Sequence, residues 1–431
     1  MLPLLAPILA QLVTLNVADR TEARYISGDY TRAEGVTRPL AGLNFGWKRG
    51  AISLAYTPSF TVTPLETTPR DLLIFQGATL SGNYHWRLTS VTLAQSIGYG
   101  QLNFRVQALA DPGVNLGPTP GSVPTVTPPV GAGGAPTPGG TVTGGTTTGG
   151  TTTGPAAGPQ ATNNLRFSNR IVKYFTLTTT LGVTHQLSRQ VSLGADAGYN
   201  EGRGVDASEQ DYPRIRGARV GATVSHALIV GRRDTFTSTL LTQYGVSSYL
   251  SSRVWAVQAN ELWLHKLDPL TTTRVGAGVG GNRLSLSDGT IAYTVYPTFI
   301  AGIIHFDRLA GGIVTFGSAI TATPYLDTLR ATVDPRLGVV GNAAWSKRRF
   351  SMGAGAGAAV SIADNKNQGA INSVGASFGM AYLLGAGFST DAGVSTGWQT
   401  FQGQTIVPTS WTGFVGVTFG GSVPLNGHPG Q

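Results

Sequence analysis

The sequence predicts an all-β fold: a single transmembrane antiparallel β-barrel of about 18 strands, with short turns at one end and longer loops at the other. Three observations lead there. Apolar residues fall on alternate positions over long stretches, short turn sequences return about every 40 residues, and only 12% of the residues are charged while glycine reaches 60 in a chain of 431.

Alternation fixes the backbone. In "RRFSMGAGAGAAVSIADNKN", Arg348 to Asn367, the residues Phe350, Met352, Ala354, Ala356, Ala358, Val360 and Ile362 occupy every second position. Ser351, Gly353, Gly355, Gly357, Ala359 and Ser361 fill the positions between. A period of two belongs to a strand, whose successive side chains point to opposite faces. The same split recurs where Val191, Leu193, Ala195, Ala197 and Tyr199 oppose Ser192, Gly194, Asp196, Gly198 and Asn200. It returns with Val374, Ala376, Phe378, Met380 and Tyr382, then with Phe388, Ala392, Val394 and Trp398, and finally with Trp411, Gly413, Val415, Val417 and Phe419. Near Gly100 and Asn260 the alternation falters, and a one-residue slip or bulge is expected at each.

The strands are counted by their turns. Arg49 in "WKRG", Arg87 in "WRLTS", Arg189 in "SRQ", Arg232 in "GRRD", Asp268 in "LDPL", Arg308 in "FDRL", Lys347 in "SKRR" and Ala386 in "LGAGF" mark tight turns. Two strands, one tight turn and one longer loop account for a repeat of about 40 residues. These turns, with one further strand at each end, give about 18 strands.

A soluble domain carries about one quarter charged residues and turns them toward its wet face. Here the less apolar face is nearly bare glycine, serine and threonine. That composition fits a sheet whose apolar face meets lipid and whose small, weakly polar face lines water, closed so that no edge is left unpaired. Eighteen strands about 4.8 Å apart and tilted by about 40° enclose a backbone diameter on the order of 35 Å, too wide for side chains to fill.

Along the chain, residues 1–10, "MLPLLAPILA", are a candidate signal-peptide remnant, with Ala10 at the cleavage point. Strands 1–5 are expected within 11–111 and strands 6–18 within 165–420. Between them, 112–164 is a low-complexity Gly/Pro/Thr segment with no charged residue between Asp111 and Arg166. It cannot bury enough apolar surface to fold alone and is expected as a disordered loop on the long-loop side. Residues 421–431 are expected as a disordered tail.

Several function classes drop out. The net charge of +9 is scattered near turns, without a basic run or basic helix, so nucleic acid is not an expected partner. The absence of cysteine removes disulfides and thiolate metal sites. No run approaches 18 apolar residues, so a transmembrane helix is not expected. His85, His185, His226, His265 and His305 each precede a short turn, but on alternate strands they stand roughly 10 Å apart, too far to share a metal. No metal and no cofactor are therefore expected. With Trp47, Trp86, Trp263, Trp345 and Tyr382, the histidines are expected to form an interfacial belt, and Trp255, Trp398 and Trp411 a second one.

The charges on the inward parity are few: Arg20, Glu22 and Arg24 on the first strand, Asp196, Arg219, Arg274, then Arg330, Asp334 and Arg336 on the fourteenth, and Asp391. Such rows either shape the field felt by a solute or brace the wall by cross-strand pairing, and the sequence leaves both open. A hydrolase would need Ser or Thr, His and an acid on one rim, and no G-x-S-x-G context joins them. "GVGGN" and "GAGAG" lack a following helix and a P-loop lysine. Catalysis is not expected.

The strand repeat, the aromatic belts and the terminal strand "TGFVGVTF" resemble the Gram-negative outer-membrane β-barrel superfamily, porin-like, over nearly the whole chain apart from the Thr/Gly loop. Where that family ends on an aromatic, Phe419 here is followed by twelve residues. Within that superfamily, the large barrel with a "DRTEARY" first strand resembles barrels associated with exopolysaccharide secretion. The resemblance implies an outer-membrane channel passing hydrated polar solutes or a sugar polymer, with polysaccharide export as the expected role. Its implied partners are outer-membrane lipid and periplasmic polysaccharide-export components. The competing expectations are a structural or adhesive surface barrel that interacts through the Thr/Gly loop and, last, an embedded hydrolase.

Overall fold

A computed structural model describes residues 12–27, 32–62, 72–103, 171–206, 214–227, 233–248, 251–327, 332–362, 371–385, 387–401 and 404–424. The expectations for 1–10, for the 112–164 loop and for Arg330 lie outside them. The first strands are β1 (Leu12–Ser27), β2 (Arg32–Trp47), β3 (Gly50–Val62), β4 (Leu72–Trp86), β5 (Thr89–Asn103) and β6 (Ile171–Gln186). They continue with β7 (Val191–Gly204), β8 (Ile215–Ala227), β9 (Asp234–Ser247), β10 (Ser252–Lys266), β11 (Thr271–Ser285) and β12 (Ile291–Leu309). The last are β13 (Gly312–Asp327), β14 (Thr332–Lys347), β15 (Phe350–Ser361), β16 (Ile371–Gly385), β17 (Phe388–Phe401) and β18 (Gln404–Pro424).

Together they form one antiparallel sheet of 18 strands. Each strand pairs with its neighbours in sequence, and β1 pairs with both β2 and β18, which closes the barrel. Closure leaves the sheet without a terminal edge strand, as a hydrocarbon surrounding demands. The short connections fall at Arg49, Arg87, Arg189, Asp268, Ala310 and Arg348, all at one end. Those expected at Arg232 and Ala386 lie outside the described residues, between the strands that flank them. Between β12 and β13 the turn residues Ala310 and Gly311 have φ of 53° and 74°. Two successive positive φ values give the hairpin twist that matches the strands.

The two faces separate as the alternation predicts. Ile52, Leu54 and Tyr56 of β3, Val220 and Val224 of β8, Val275 and Val279 of β11, and Val415 and Val417 of β18 are exposed on the outer face. The inner parity carries Ser53, Thr92, Thr180, Thr223 and the glycines Gly276, Gly278 and Gly280. Exposed apolar rows of this length belong against lipid tails.

Four features depart from the expectations. The ladders of β5 and β10 run without a slip through Gly100 and Asn260. The alternation falters there because Gln95 and Glu261 face outward while Leu262 faces inward and is buried; Glu261 is satisfied by the Ser238 hydroxyl. Register shifts occur instead at Leu383/Gly385 and around Gln399. The chain end differs too: Gly421 to Pro424 belong to β18, where Pro424 pairs with Thr14, rather than to a disordered tail.

The wall is also not uniform. β12 pairs with β13 only over Phe299–Leu309, so that Ile291 to Thr298 pair with β11 alone. Next to this fork Val254, Ala256, Leu284 and Tyr296 pack on the inner side, with Leu286 and Ala292 against them. Polar residues share that inner parity, with Gln258, Asn282 and Thr298 buried beside the cluster, and β10 and β14 approach one another there.

Candidate functional site

The inner wall is the surface on which this fold can act, and its densest polar cluster lies where β1 meets β2 on one side and β18 and β17 on the other. Period two puts Arg20, Glu22 and Arg24 on one face of β1. The register then sets Arg24 opposite Glu34 and Arg20 opposite Arg38 on β2. Glu22 is the centre, only 3% exposed. Arg20 Nη2 lies 3.1 Å from Glu22 Oε2 and reaches past β18 to Asp391 Oδ2 at 2.7 Å. Arg24 pairs with Glu22 as well, and Arg38 Nη2 stands 3.5 Å from Glu22 Oε1. The Arg20 guanidinium also lies over the Phe414 ring, 5.9 Å from its centre. A carboxylate this buried persists only because cations and donors surround it.

A second, more open cluster lies on the wall of β5 to β9. Arg219 Nε is 3.7 Å from Asp196 Oδ2. A recess of about 310 Å³ surrounds the pair, lined by Thr92, Thr180, Thr223 and Thr239 among others. Hydroxyls outnumber charges there, and the charges come as a pair. Arg274 faces the lumen from β11, beside Gly302, and makes no ion pair among the described residues. Arg336 is buried on the inner parity of β14, opposite Ser361. Asp334 sits in β14 opposite Tyr325, and its side chain, like Arg330, lies outside the described residues.

The sequence-expected lumen charges are thus brought together in two groups, Arg20–Glu22–Arg24–Asp391 and Asp196–Arg219, with Arg274 apart from both. Sequence reasoning missed Arg38 and Glu34. Their signal was present, since both share the even parity of β2, but Pro39 obscures that strand's pattern. The β2–β3 ladder is interrupted where Pro39 and Pro58 face each other without N–H groups to share.

The expected belt residues lie on the outer parity at the short-turn end. Trp47, Trp86, Trp345 and Tyr382 stand there, as do His185, His226, His265 and His305. Hydroxyls and a carboxylate hold three of the imidazoles: Thr89 Oγ1 is 2.8 Å from His185 Nδ1, Thr271 Oγ1 is 2.8 Å from His305 Nδ1, and Asp234 Oδ1 is 2.7 Å from His265 Nδ1. His85 is the exception. It precedes the outward Trp86 by one residue, so it faces inward, beside Asn83. Trp255, Trp398 and Trp411 lie on the outer parity at the long-loop end. Among the described residues, no group of histidines and acids could hold a metal ion.

No protein-family model and no curated protein matches this chain. Solved structures do. The FrpB iron transporter from Neisseria meningitidis, F5-1 variant apoprotein, matches 90% of this chain with 11% identity and a TM-score of 0.51, and this chain spans 62% of its length. The outer-membrane protein OpdK from Pseudomonas aeruginosa matches 95% of this chain and 99% of its own, with 8% identity and a TM-score of 0.45. OccAB3 from Acinetobacter baumannii matches 96% of this chain and all of its own length (100%), with 8% identity and a TM-score of 0.44. At such identities the likeness concerns the fold. A closed barrel of 18 strands with an apolar exterior and outward aromatic rings near both ends has the architecture of an outer-membrane β-barrel. Its short turns are then periplasmic and its longer loops extracellular.

Proposed function

We propose that the barrel is a passage for hydrated polar solutes, and that its traffic is a weakly charged sugar polymer leaving the cell. The observation that carries this is the hydroxyl-rich wall of β5 to β9, where Thr92, Thr180, Thr223 and Thr239 surround a single Asp196–Arg219 pair. Threonine hydroxyls exchange hydrogen bonds with sugar hydroxyls and water alike, so a polymer is solvated by the wall without being held. The paired charges add no strong field of one sign, which favours neutral or mixed solutes over a single ion class. The apolar inner cluster of Val254, Leu284 and Tyr296 packs against itself and narrows the extracellular half.

The outer-membrane lipid is the barrel's solvent, and periplasmic components of polysaccharide export are the partners such traffic requires. The outer-face position of His185, His226, His265 and His305 separates those imidazoles from lumenal solute, which disfavours an embedded hydrolase. Conductance in planar bilayers is the test. A large, steady pore supports a passage; silence from a correctly folded preparation would favour a structural or adhesive barrel acting through the 112–164 loop. Loss of extracellular polysaccharide on deletion of the protein, restored by re-expression, supports export, and unchanged polysaccharide contradicts it.

A further inference from the structure

The outer face holds cations that the passage does not use. On β8, Arg216 shares the outward parity of Val220 and Val224; on β10, Arg253 shares that of Trp255; on β11, Arg283 shares that of Val279. All three lie within a few residues of the long-loop ends of their strands, and all three are exposed. The register places them together. Arg216 and Arg253 both pair with Val246 on β9, and Arg283 pairs with Trp255, one outward position below Arg253. With strands about 4.8 Å apart, Arg216 and Arg253 stand on the order of 10 Å from each other.

Depth and company make this more than scattered charge. Trp255 packs on Tyr244 with ring centroids 4.6 Å apart, at the level of the extracellular aromatic belt. Arg283 is level with that pair and Arg253 one step above, the depth at which phosphates stand over acyl chains. Glu201 is engaged by Arg214, whose Nη2 lies 2.6 Å away, and is 4.0 Å from Arg216 Nε. No carboxylate among the described residues pairs with Arg253 or Arg283. Among the described strand residues, no outward Lys or Arg stands at the long-loop end of β1–β5 or β12–β18. A general need for interfacial cations would have spread them around the rim.

We infer that the outer face of β8 to β11 is a binding site for a phosphorylated glycolipid of the outer leaflet. Arg216, Arg253 and Arg283 would clamp its phosphates, and the Tyr244–Trp255 pair would meet its sugar and upper acyl region. Guanidinium suits this use because it takes phosphate oxygens two at a time and sheds water more readily than ammonium. The site rests on the extracellular placement of the long loops and is independent of what the lumen carries.

The test compares the wild-type barrel with the Arg216→Gln, Arg253→Gln, Arg283→Gln triple variant, both extracted from outer membranes in mild detergent. Co-purified glycolipid is quantified by its phosphate, and delipidated protein is then titrated with bisphosphorylated lipid A or with its dephosphorylated form while the thermal midpoint is followed. The site predicts at least about a tenfold loss of affinity in the triple variant, a midpoint rise in wild type with the phosphorylated lipid only, and unchanged heat-modifiable gel migration as proof of an intact barrel. A control variant with Lys48, Arg49 and Arg87 at the periplasmic turns replaced by Gln retains the lipid. Equal retention by the triple variant, equal response to dephosphorylated lipid, or equal loss in the turn variant would each overturn the site. Should the triple variant fail to fold, Arg253→Gln and Arg283→Gln singly carry the same comparison.

Discussion

Replacing Glu22 by Gln removes the one carboxylate that three guanidiniums share. Arg20 keeps Asp391 at 2.7 Å, so the loss falls on Arg24 and Arg38, whose side chains are 20% and 30% exposed. Removing one partner of a buried ion pair costs about 3–5 kcal/mol, and partial wetting of the two arginines places the loss at the lower end, so the barrel should lose about 3 kcal/mol. The same change leaves the lumen one positive charge richer at mid-height and should shift its selectivity toward anions. The thermal midpoint, followed by heat-modifiable gel migration, reads the first effect; the reversal potential across a salt gradient reads the second. In the Glu22→Gln background, Arg38→Gln should recover part of the midpoint because it removes one of the mutually repelling cations that Glu22 had balanced. An unchanged midpoint together with an unchanged reversal potential would refute the placement of Glu22 at the centre of a shared inner cluster.

Gly100 has φ +153°, and a Cβ there would meet the Ile74 carbonyl oxygen at 2.3 Å. Gly100→Ala should cost roughly 3 kcal/mol, whereas Gly413→Ala, with open space around its Cβ, should be near neutral in the same melt. Tyr296 lies over Gly280 in the inner apolar cluster. Tyr296→Ala should cost about 3 kcal/mol and raise single-channel conductance, a combination that a purely structural tyrosine elsewhere in the wall would not give. On the outer face the Asp19 carboxylate, mid-way along β1, accepts from Thr21 Oγ1 at 3.2 Å and Thr37 Oγ1 at 3.0 Å. Asp19→Leu should stabilise the barrel by about 1 kcal/mol in bilayers, measured by denaturant unfolding, because an acid facing lipid is unfavourable even when hydrogen-bonded. In the periplasmic turn, the Thr271 hydroxyl, together with N–H bonds donated by Leu270 and Thr271, holds the Asp268 carboxyl below the usual carboxylate range. Its contribution is therefore present above the ordinary carboxylate pKa of about 4 and is lost as pH falls through the lowered one. Asp268→Asn should flatten the acid-side fall of the thermal midpoint.

The barrel was legible because lipid imposes a strict alternation on strands such as β15 and β16, and because each tight turn leaves a short polar signature. Legibility failed where the environment is not the expected one. Gln95 and Glu261 face outward and Leu262 faces inward, so period two survives in the backbone while the hydropathy pattern breaks, which imitates a bulge. Val254 and Leu284 are apolar yet on the inner parity, because the wall near the β12–β13 fork packs against itself. Composition has no way to encode that approach. The lumen acids and bases on β1 were visible as alternating charges, but their pairing needed the register across β18 to Asp391, a contact between residues 371 positions apart. His85 was assigned with the other histidines by its distance from a turn, when parity, set by the neighbouring Trp86, decides its side.

Adjacent residues on three strands offer the most direct test that water lies inside and lipid outside. The chain has no cysteine, so single cysteines can be placed at Thr92, Thr180 and Thr223 on the inner parity and at Leu93, Leu181 and Val224 on the outer one. In intact outer membranes, a membrane-impermeant thiol reagent small enough to enter the lumen should label the three threonine positions and spare their neighbours. Labelling of the leucine and valine positions instead, or equal labelling of both sets, would contradict a water-filled barrel with an apolar exterior.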